Sequence, residues 1–154
     1  MMNRRELLHI LKKHITDEVV ISSYSTASEW IEIADRPLNY FSHGAMGLAS
    51  SHGLGMALAH PGRRILVLDG DGSLLMNLST LVTIGRVAPK NFTHMLFRNG
   101  TYEANGGHPL PNPDADFEAM ARAAHFAGTC SISDLQDFET KLQWLLGGEG
   151  PLFA

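Results

Sequence analysis

The chain has 154 residues, 44% apolar and 18% charged, which is the size and composition of one domain with a full core and leaves no room for a second. A formal net charge of −4, with no Lys/Arg cluster and no interleaved aromatics, excludes the electrostatic footprint of a nucleic-acid binder. No apolar run approaches the roughly 18 residues of a membrane span, and the single cysteine, Cys130, excludes an intrachain disulfide and a cysteine-based metal cluster; the expected location is cytoplasmic.

At the amino terminus, MMNRRELLHILKKHI places Leu7, Leu8, Leu11 and Ile15 at helical spacing with charges between them. That pattern predicts an amphipathic helix over 3–14 and not a signal peptide. A strand near Val19–Ser22 follows, then a helical stretch 26–34, a short strand Asn39–Ser42, a Gly/Ala/Ser-rich helix 46–59 and a strand 64–69. A helix near 75–87, a strand Phe92–Phe97 and a Gly/Pro-rich loop 99–113 come next; helix 115–126, a strand near 129–132 and helix 134–146 close the series. Repeated strand–helix alternation predicts an α/β fold, a single doubly wound domain over 1–154 whose parallel sheet is covered by helices on both faces.

In such a sheet ligands bind outside the carboxyl ends of the strands. The stretch ILVLDGDGSLLMN ends an apolar run on Asp69-Gly70-Asp71-Gly72-Ser73. It lacks the third glycine of a dinucleotide fingerprint and the Gly-Lys-Ser/Thr of a P-loop. It also fails as an EF-hand loop started at Asp69, because Leu74 and Thr80 stand where Gly and Glu are required. What remains is a glycine turn whose N–H groups can approach a phosphate, with the Asp71 carboxylate facing a hard cation. The next strand ends in Arg98-Asn99-Gly100-Thr101-Tyr102, which offers the Asn99 amide oxygen and a kinked backbone able to turn the Thr101 carbonyl inward. Asp71 and Asn99 are 28 positions apart, the span of one strand–helix–strand unit. Asp-Gly and Asn-Gly are each ordinary turn dipeptides; their pairing at consecutive strand ends is what points to a metal.

GDGS followed by RNGTY resembles the cofactor signature of thiamine diphosphate-dependent enzymes, in the domain that binds the diphosphate end. HGAMGLASSHGLGMALAHPGRRILVLDGDGSLLMN and APKNFTHMLFRNGTYEANGGHP together resemble sulfopyruvate and phosphonopyruvate decarboxylases, from about Ser22 to Pro109. The resemblance implies that Mg²⁺ is coordinated by the side chains of Asp71 and Asn99 and by the Thr101 carbonyl. It assigns Gly70, Gly72, Ser73 and Tyr102 to the cofactor, with Gly72 and Ser73 as diphosphate donors. SSYSTASEW matches the turn on the other side of the diphosphate and nominates Ser23, Tyr24 and Ser25, although small hydroxyl residues before a helix are also routine caps. Met46, 25 positions before Asp71, falls where these enzymes place a bulky apolar residue beneath the thiazolium ring, and the Gly44 carbonyl falls where the 4′-amino group is held.

Two positions depart from the family pattern: Arg98 stands where Asn is usual, and His108 where Gln is common. Arg98 is a candidate partner for an anionic substrate; His43 and His108 are candidate proton carriers. GEGPLFA resembles the start of the family's last strand, which normally continues further.

The implied function is decarboxylation of a 2-oxo acid bearing a second anionic group, with thiamine diphosphate as the electron sink. Carboligation of the acetolactate synthase type and a non-catalytic nucleotide- or phosphate-binding module are the alternatives. In the family the glutamate that activates the cofactor comes from a pyrimidine-binding domain. None of the eight glutamates here lies in that context, and no residue of this chain is assigned a catalytic role. The expected assembly therefore pairs this chain with a pyrimidine-binding α-type subunit, as a homodimer within a hetero-oligomer.

Overall fold

The computed structural model describes residues 2–44 and 46–154. Helix α1 (Arg4–His14) is capped by Asn3, whose side chain accepts from the Arg5 N–H, and it buries Leu7, Leu8 and Leu11. In chain order there follow β1 (Val19–Ser23), α2 (Tyr24–Ile33), β2 (Asn39–Ser42), α3 (Ala49–Ala59), β3 (Ile65–Gly70), α4 (Asp71–Met76), α5 (Thr80–Val87) and β4 (Phe92–Phe97). Beyond β4 come β5 (Thr101–Tyr102), a 3₁₀ turn at Glu103–Asn105, β6 (His108–Pro109), α6 (Phe117–Ala123), β7 (Gly128–Thr129), α7 (Leu135–Gly147) and β8 (Leu152–Phe153).

Among the described residues the main sheet has six strands in the order β2-β1-β3-β4-β8-β7, every pair parallel. Alternate residues face opposite layers. Val19, Ile21, Ile65, Val67, Phe92 and Phe153 pack under α3, α4, α5 and α6. Val20, Leu66, Leu68 and Met95 pack under α1, α2 and α7. Chain direction across the sheet reverses between β1 and β3, because β2 lies to one side of β1 and all later strands lie to the other. A reversal of this kind opens a crevice at the carboxyl ends of the two strands, here Ser23 and Gly70.

The doubly wound parallel sheet agrees with the sequence expectation; several local boundaries differ. The helix expected over 46–59 begins at Ala49. The helix expected over 75–87 is two, because α4 starts at Asp71 and breaks at Asn77, whose side chain donates to the Gly47 carbonyl (3.0 Å) and the Ser51 hydroxyl (3.4 Å). The 99–113 loop contains the antiparallel β5–β6 ribbon. Asp116 caps α6 by accepting from the Ala119 N–H, so that helix starts at Phe117, and the strand expected near 129–132 is Gly128–Thr129.

The small residues of α3 serve packing within the chain. Ala49, Ser50, Gly53 and Ala57 face inward, and a Cβ on Gly53 would lie 2.4 Å from Val67 and 2.9 Å from Phe92. Gly55 on the same helix has open space around it. Gly53→Ala is therefore expected to destabilise by about 1–3 kcal/mol through overpacking, whereas Gly55→Ala should stabilise by roughly 0.5–1 kcal/mol through helix propensity. Urea denaturation of the two variants beside the parent checks the contrast; equal effects would contradict the packing.

Candidate metal and diphosphate site

The site is built from the carboxyl ends of β1, β3 and β4. Ser23 closes β1, and Tyr24 starts α2 with φ 43, a left-handed backbone uncommon for a bulky residue and characteristic of functional turns. Beneath the crevice lies a buried polar row. The Ser23 hydroxyl donates to Asp69 Oδ1 (2.7 Å), which also accepts from the Gly70 N–H (3.0 Å). His94 of β4 brings Nε2 to 3.5 Å from Asp69 Oδ2; both side chains are fully buried. The imidazole meets Phe153 and Phe92 edge-on, with centroids at 5.2 and 6.3 Å. Burial opposes charge on Asp69, but His94 and the Ser73 and Ser23 hydroxyls outweigh it and hold the carboxyl below its ordinary range.

Asp71 does more than face outward. Its Oδ1 accepts from the Gly72 N–H (2.9 Å), and its Oδ2 accepts from the Asn99 and Gly100 N–H groups (3.0 and 2.8 Å). The carboxylate thus ties the turn after β3 to the loop after β4. Within that loop Asn99 Oδ1 accepts from the Thr101 N–H and hydroxyl (2.9 and 3.1 Å), and Nδ2 donates to Glu103 (3.3 Å). Ser73 Oγ accepts from the Gly47 N–H (3.1 Å), which anchors the segment carrying Met46 to the start of α4. Gly72 is required by contact: a Cβ there would lie 2.7 Å from the Tyr102 ring.

These contacts gather nearly all the residues nominated from sequence around one cleft. Ser23, Tyr24 and Ser25 form one wall, Gly70 to Ser73 the floor, and Asn99, Thr101 and Tyr102 the opposite wall, with Met46 at the rim. Gly44 does not line the cleft; it is exposed, with positive φ and open space around its Cβ position. The N–H groups of Gly70 and Gly72, expected to face a phosphate, donate to Asp69 and Asp71. Arg98 donates to the Pro113 carbonyl (3.0 Å) and stacks over Phe117 (5.7 Å). It lines a larger adjoining cavity of about 680 Å³ between β4 and residues 130–133; the smaller cleft is where the strand ends and donor groups converge. His43 and His108 are exposed and outside the cleft.

Two residues that pair with the site's side chains were not read from sequence. His94 carried a signal, a histidine within an apolar strand. Arg4 of α1, which lines the cleft and pairs with Glu29 and Glu103 at 2.8 and 3.0 Å, carried none.

Among the described residues no three His, Cys, Asp or Glu side chains cluster as metal ligands. The residues nominated for a cation offer one carboxylate, one amide and one backbone carbonyl, at Asp71, Asn99 and Thr101. Such a set suits a hard cation that takes its remaining ligands from phosphate and water, so the residues fit Mg²⁺ held on a diphosphate.

The fold and site define the class, and the comparisons agree. Residues 22–154 match the thiamine pyrophosphate enzyme C-terminal TPP binding domain, and the chain belongs to that family. It is 37% identical over 155 aligned residues to the sulfopyruvate decarboxylase subunit beta of Methanothermobacter thermautotrophicus, covering 100% of this chain and 80% of that one. It is 36% identical over 136 residues to the phosphonopyruvate decarboxylase of Streptomyces viridochromogenes, covering 88% of this chain and 34% of that one. The chain thus spans about a third of phosphonopyruvate decarboxylase and most of the sulfopyruvate decarboxylase β subunit. In fold it resembles a putative thiamin diphosphate-dependent enzyme from Mycobacterium smegmatis, with a TM-score of 0.83 at 20% identity over 99% of this chain and 31% of the other.

The Asp69 carboxylate is fully buried beside His94. His94→Leu leaves the Asp69 carboxylate buried without its imidazole and should cost on the order of 3 kcal/mol. Pairing it with Asp69→Asn should recover part of that loss. Chemical denaturation of the single and double variants measures the coupling, and simple additivity would contradict it.

Proposed function

We propose that the chain is the diphosphate- and Mg²⁺-binding half of a thiamine diphosphate-dependent 2-oxo acid decarboxylase of the sulfopyruvate or phosphonopyruvate type. The observation that carries this reading is the bridge from Asp71 to the Asn99 and Gly100 N–H groups. It ties the carboxylate at the start of α4 to the loop after β4 that carries Asn99 and Thr101, beside the crevice that opens between β1 and β3. Family membership supplies the identity of the cofactor.

In this reading residues 1–154 form one diphosphate-binding domain. Asp71, Asn99 and the Thr101 carbonyl hold Mg²⁺, while Ser23, Tyr24, Ser25, Gly70, Gly72 and Ser73 border the diphosphate. Tyr102, packed on Gly72, keeps the two loops in register. Met46, at the rim of the cleft, would support the thiazolium ring, and the Gly44 carbonyl would hold the 4′-amino group. Bound thiamine diphosphate supplies an electron sink for loss of CO₂ from a 2-oxo acid. This chain's part is to orient the diphosphate end and fix the cation that neutralises it.

The activating glutamate comes from a second, pyrimidine-binding α-type subunit. Glu103, the local acidic residue beside the metal loop, is bonded to Arg4 and Asn99 and so is engaged on the diphosphate side. The similarity to a β subunit supports an α-type partner; the proposed assembly holds two copies of this chain inside a hetero-oligomer. The substrate in this reading is a 2-oxo acid with a sulfonate or phosphonate as second anion.

Reconstitution tests this directly. The purified chain with cofactor and Mg²⁺ should be inactive on sulfopyruvate and phosphonopyruvate, and adding the α-type subunit should release CO₂ and an aldehyde. Activity without the partner contradicts the shared site, and a carboligation product contradicts the assigned reaction. Asp71→Asn should abolish Mg²⁺-dependent cofactor binding in calorimetry. It should also cost about 1–3 kcal/mol of stability, because three N–H groups share that carboxylate. Cofactor binding equal to the parent's would remove Asp71 from the metal set. Met46→Ala should lower turnover of the reconstituted enzyme more than cofactor affinity; unchanged turnover reduces Met46 to packing.

A further inference from the structure

Arg4 reaches the cleft from α1, which lies outside the family-matched residues 22–154. Its guanidinium forks. Nε and Nη2 grip Glu29 of α2 at 2.9 and 2.8 Å, and Nη1 donates to Glu103 Oε2 at 3.0 Å. Glu103 Oε2 accepts in turn from Asn99 Nδ2 at 3.3 Å. An ionised carboxylate only accepts, so it can face only the NH₂ end of the Asn99 amide. With that end committed, Oδ1 must point the other way, and there it accepts from the Thr101 N–H and hydroxyl. Which way an asparagine amide faces is decided by its neighbours, since its two ends have nearly the same shape. Here the Thr101 N–H sets that choice at the Oδ1 end, Glu103 sets it again at the NH₂ end, and Arg4 holds Glu103.

We infer that Arg4 and Glu103 are positioning residues that hold the Asn99 amide in place within the metal site from its NH₂ end, making the amino-terminal helix a working part of that site. The inference rests on the Mg²⁺ reading given above and goes beyond it by assigning roles to two residues that do not ligate. Groups that orient a metal ligand typically change affinity when removed even though they do not touch the ion. Because the Glu103 side chain is 47% exposed, the Arg4–Glu103 link is open to ionic screening, so its effect on Mg²⁺ affinity should shrink at high salt.

The test is calorimetric titration of Mg²⁺ into the full chain at saturating thiamine diphosphate, with thermal melts of the ligand-free proteins in parallel. Glu103→Ala should weaken Mg²⁺ about tenfold. Glu103→Gln, which keeps an acceptor for Asn99 Nδ2, should recover most of that loss. Arg4→Ala should weaken Mg²⁺ as well, and by less in the Glu103→Ala background than alone. Glu32→Gln breaks the neighbouring α1–α2 pair, Arg5 to Glu32 at 2.9 Å, without touching the loop; it should leave Mg²⁺ affinity unchanged whatever it does to the melting temperature. Parent-like affinity in Glu103→Ala overturns the positioning role while leaving the metal reading intact. Equal losses in Glu32→Gln and Glu103→Ala also overturn it, by reducing the effect to helix docking. Absence of Mg²⁺-dependent cofactor binding in the parent overturns the metal reading itself, and this inference with it.

Discussion

A carboxylate has two oxygens, and in this protein those of Asp71 are claimed from different sides: Oδ1 by the Gly72 N–H of its own turn, Oδ2 by the Asn99 and Gly100 N–H groups of the neighbouring loop. Backbone N–H groups buried without partners are costly, so the two loops are held together by the satisfaction of their own donors. The remaining features of the cleft follow from that bridge. Tyr102 closes onto Gly72, Asn99 curls back on Thr101, and the oxygens suited to a hard cation are concentrated at one edge of the sheet. The parallel topology makes the bridge possible, since consecutive strands joined by a helical crossover end on the same edge.

Below this clamp the Ser23, Asp69 and His94 row links β1, β3 and β4 within an otherwise apolar layer. Such a row adds little net stability over a well-packed apolar core, yet losing one member leaves a buried charge alone. Its position explains its presence. It lies directly under the turn that carries Asp71, and it limits how far the three strand ends can move relative to one another. The cleft is therefore supported from below by buried polar pairing and from the side by the Arg4 pairs with Glu29 and Glu103.

Much of this was legible in the residues because local chemistry and topology coincide. β4 and β2 have the bounds read from sequence, and the 28-position spacing of Asp71 and Asn99 reports a strand–helix–strand unit whose geometry has few solutions. Other parts were illegible for physical reasons. Asn77 divides α4 from α5 by bonding to Gly47, 30 positions away, a partner no window of periodicity contains. The β5–β6 ribbon has two residues per strand, too few to show alternation. Arg4 meets Glu103 across 99 positions, and His94 meets Asp69 diagonally across strands, so neither leaves a local pattern. The glycine turn lines the cleft, but two of its N–H groups serve carboxylates, a competition visible only once the side chains are placed.

The central claim is that the oxygens of Asp71, Asn99 and Thr101 hold one divalent cation against a bound diphosphate. Crystals grown with thiamine diphosphate and Mn²⁺ in place of Mg²⁺ test it most directly, through the anomalous difference map. The account predicts a single strong peak in the cleft, coordinated by the Asp71 carboxylate, the Asn99 amide oxygen, the Thr101 carbonyl and two diphosphate oxygens. A bound cofactor whose Mn²⁺ peak lies away from those three residues would contradict it.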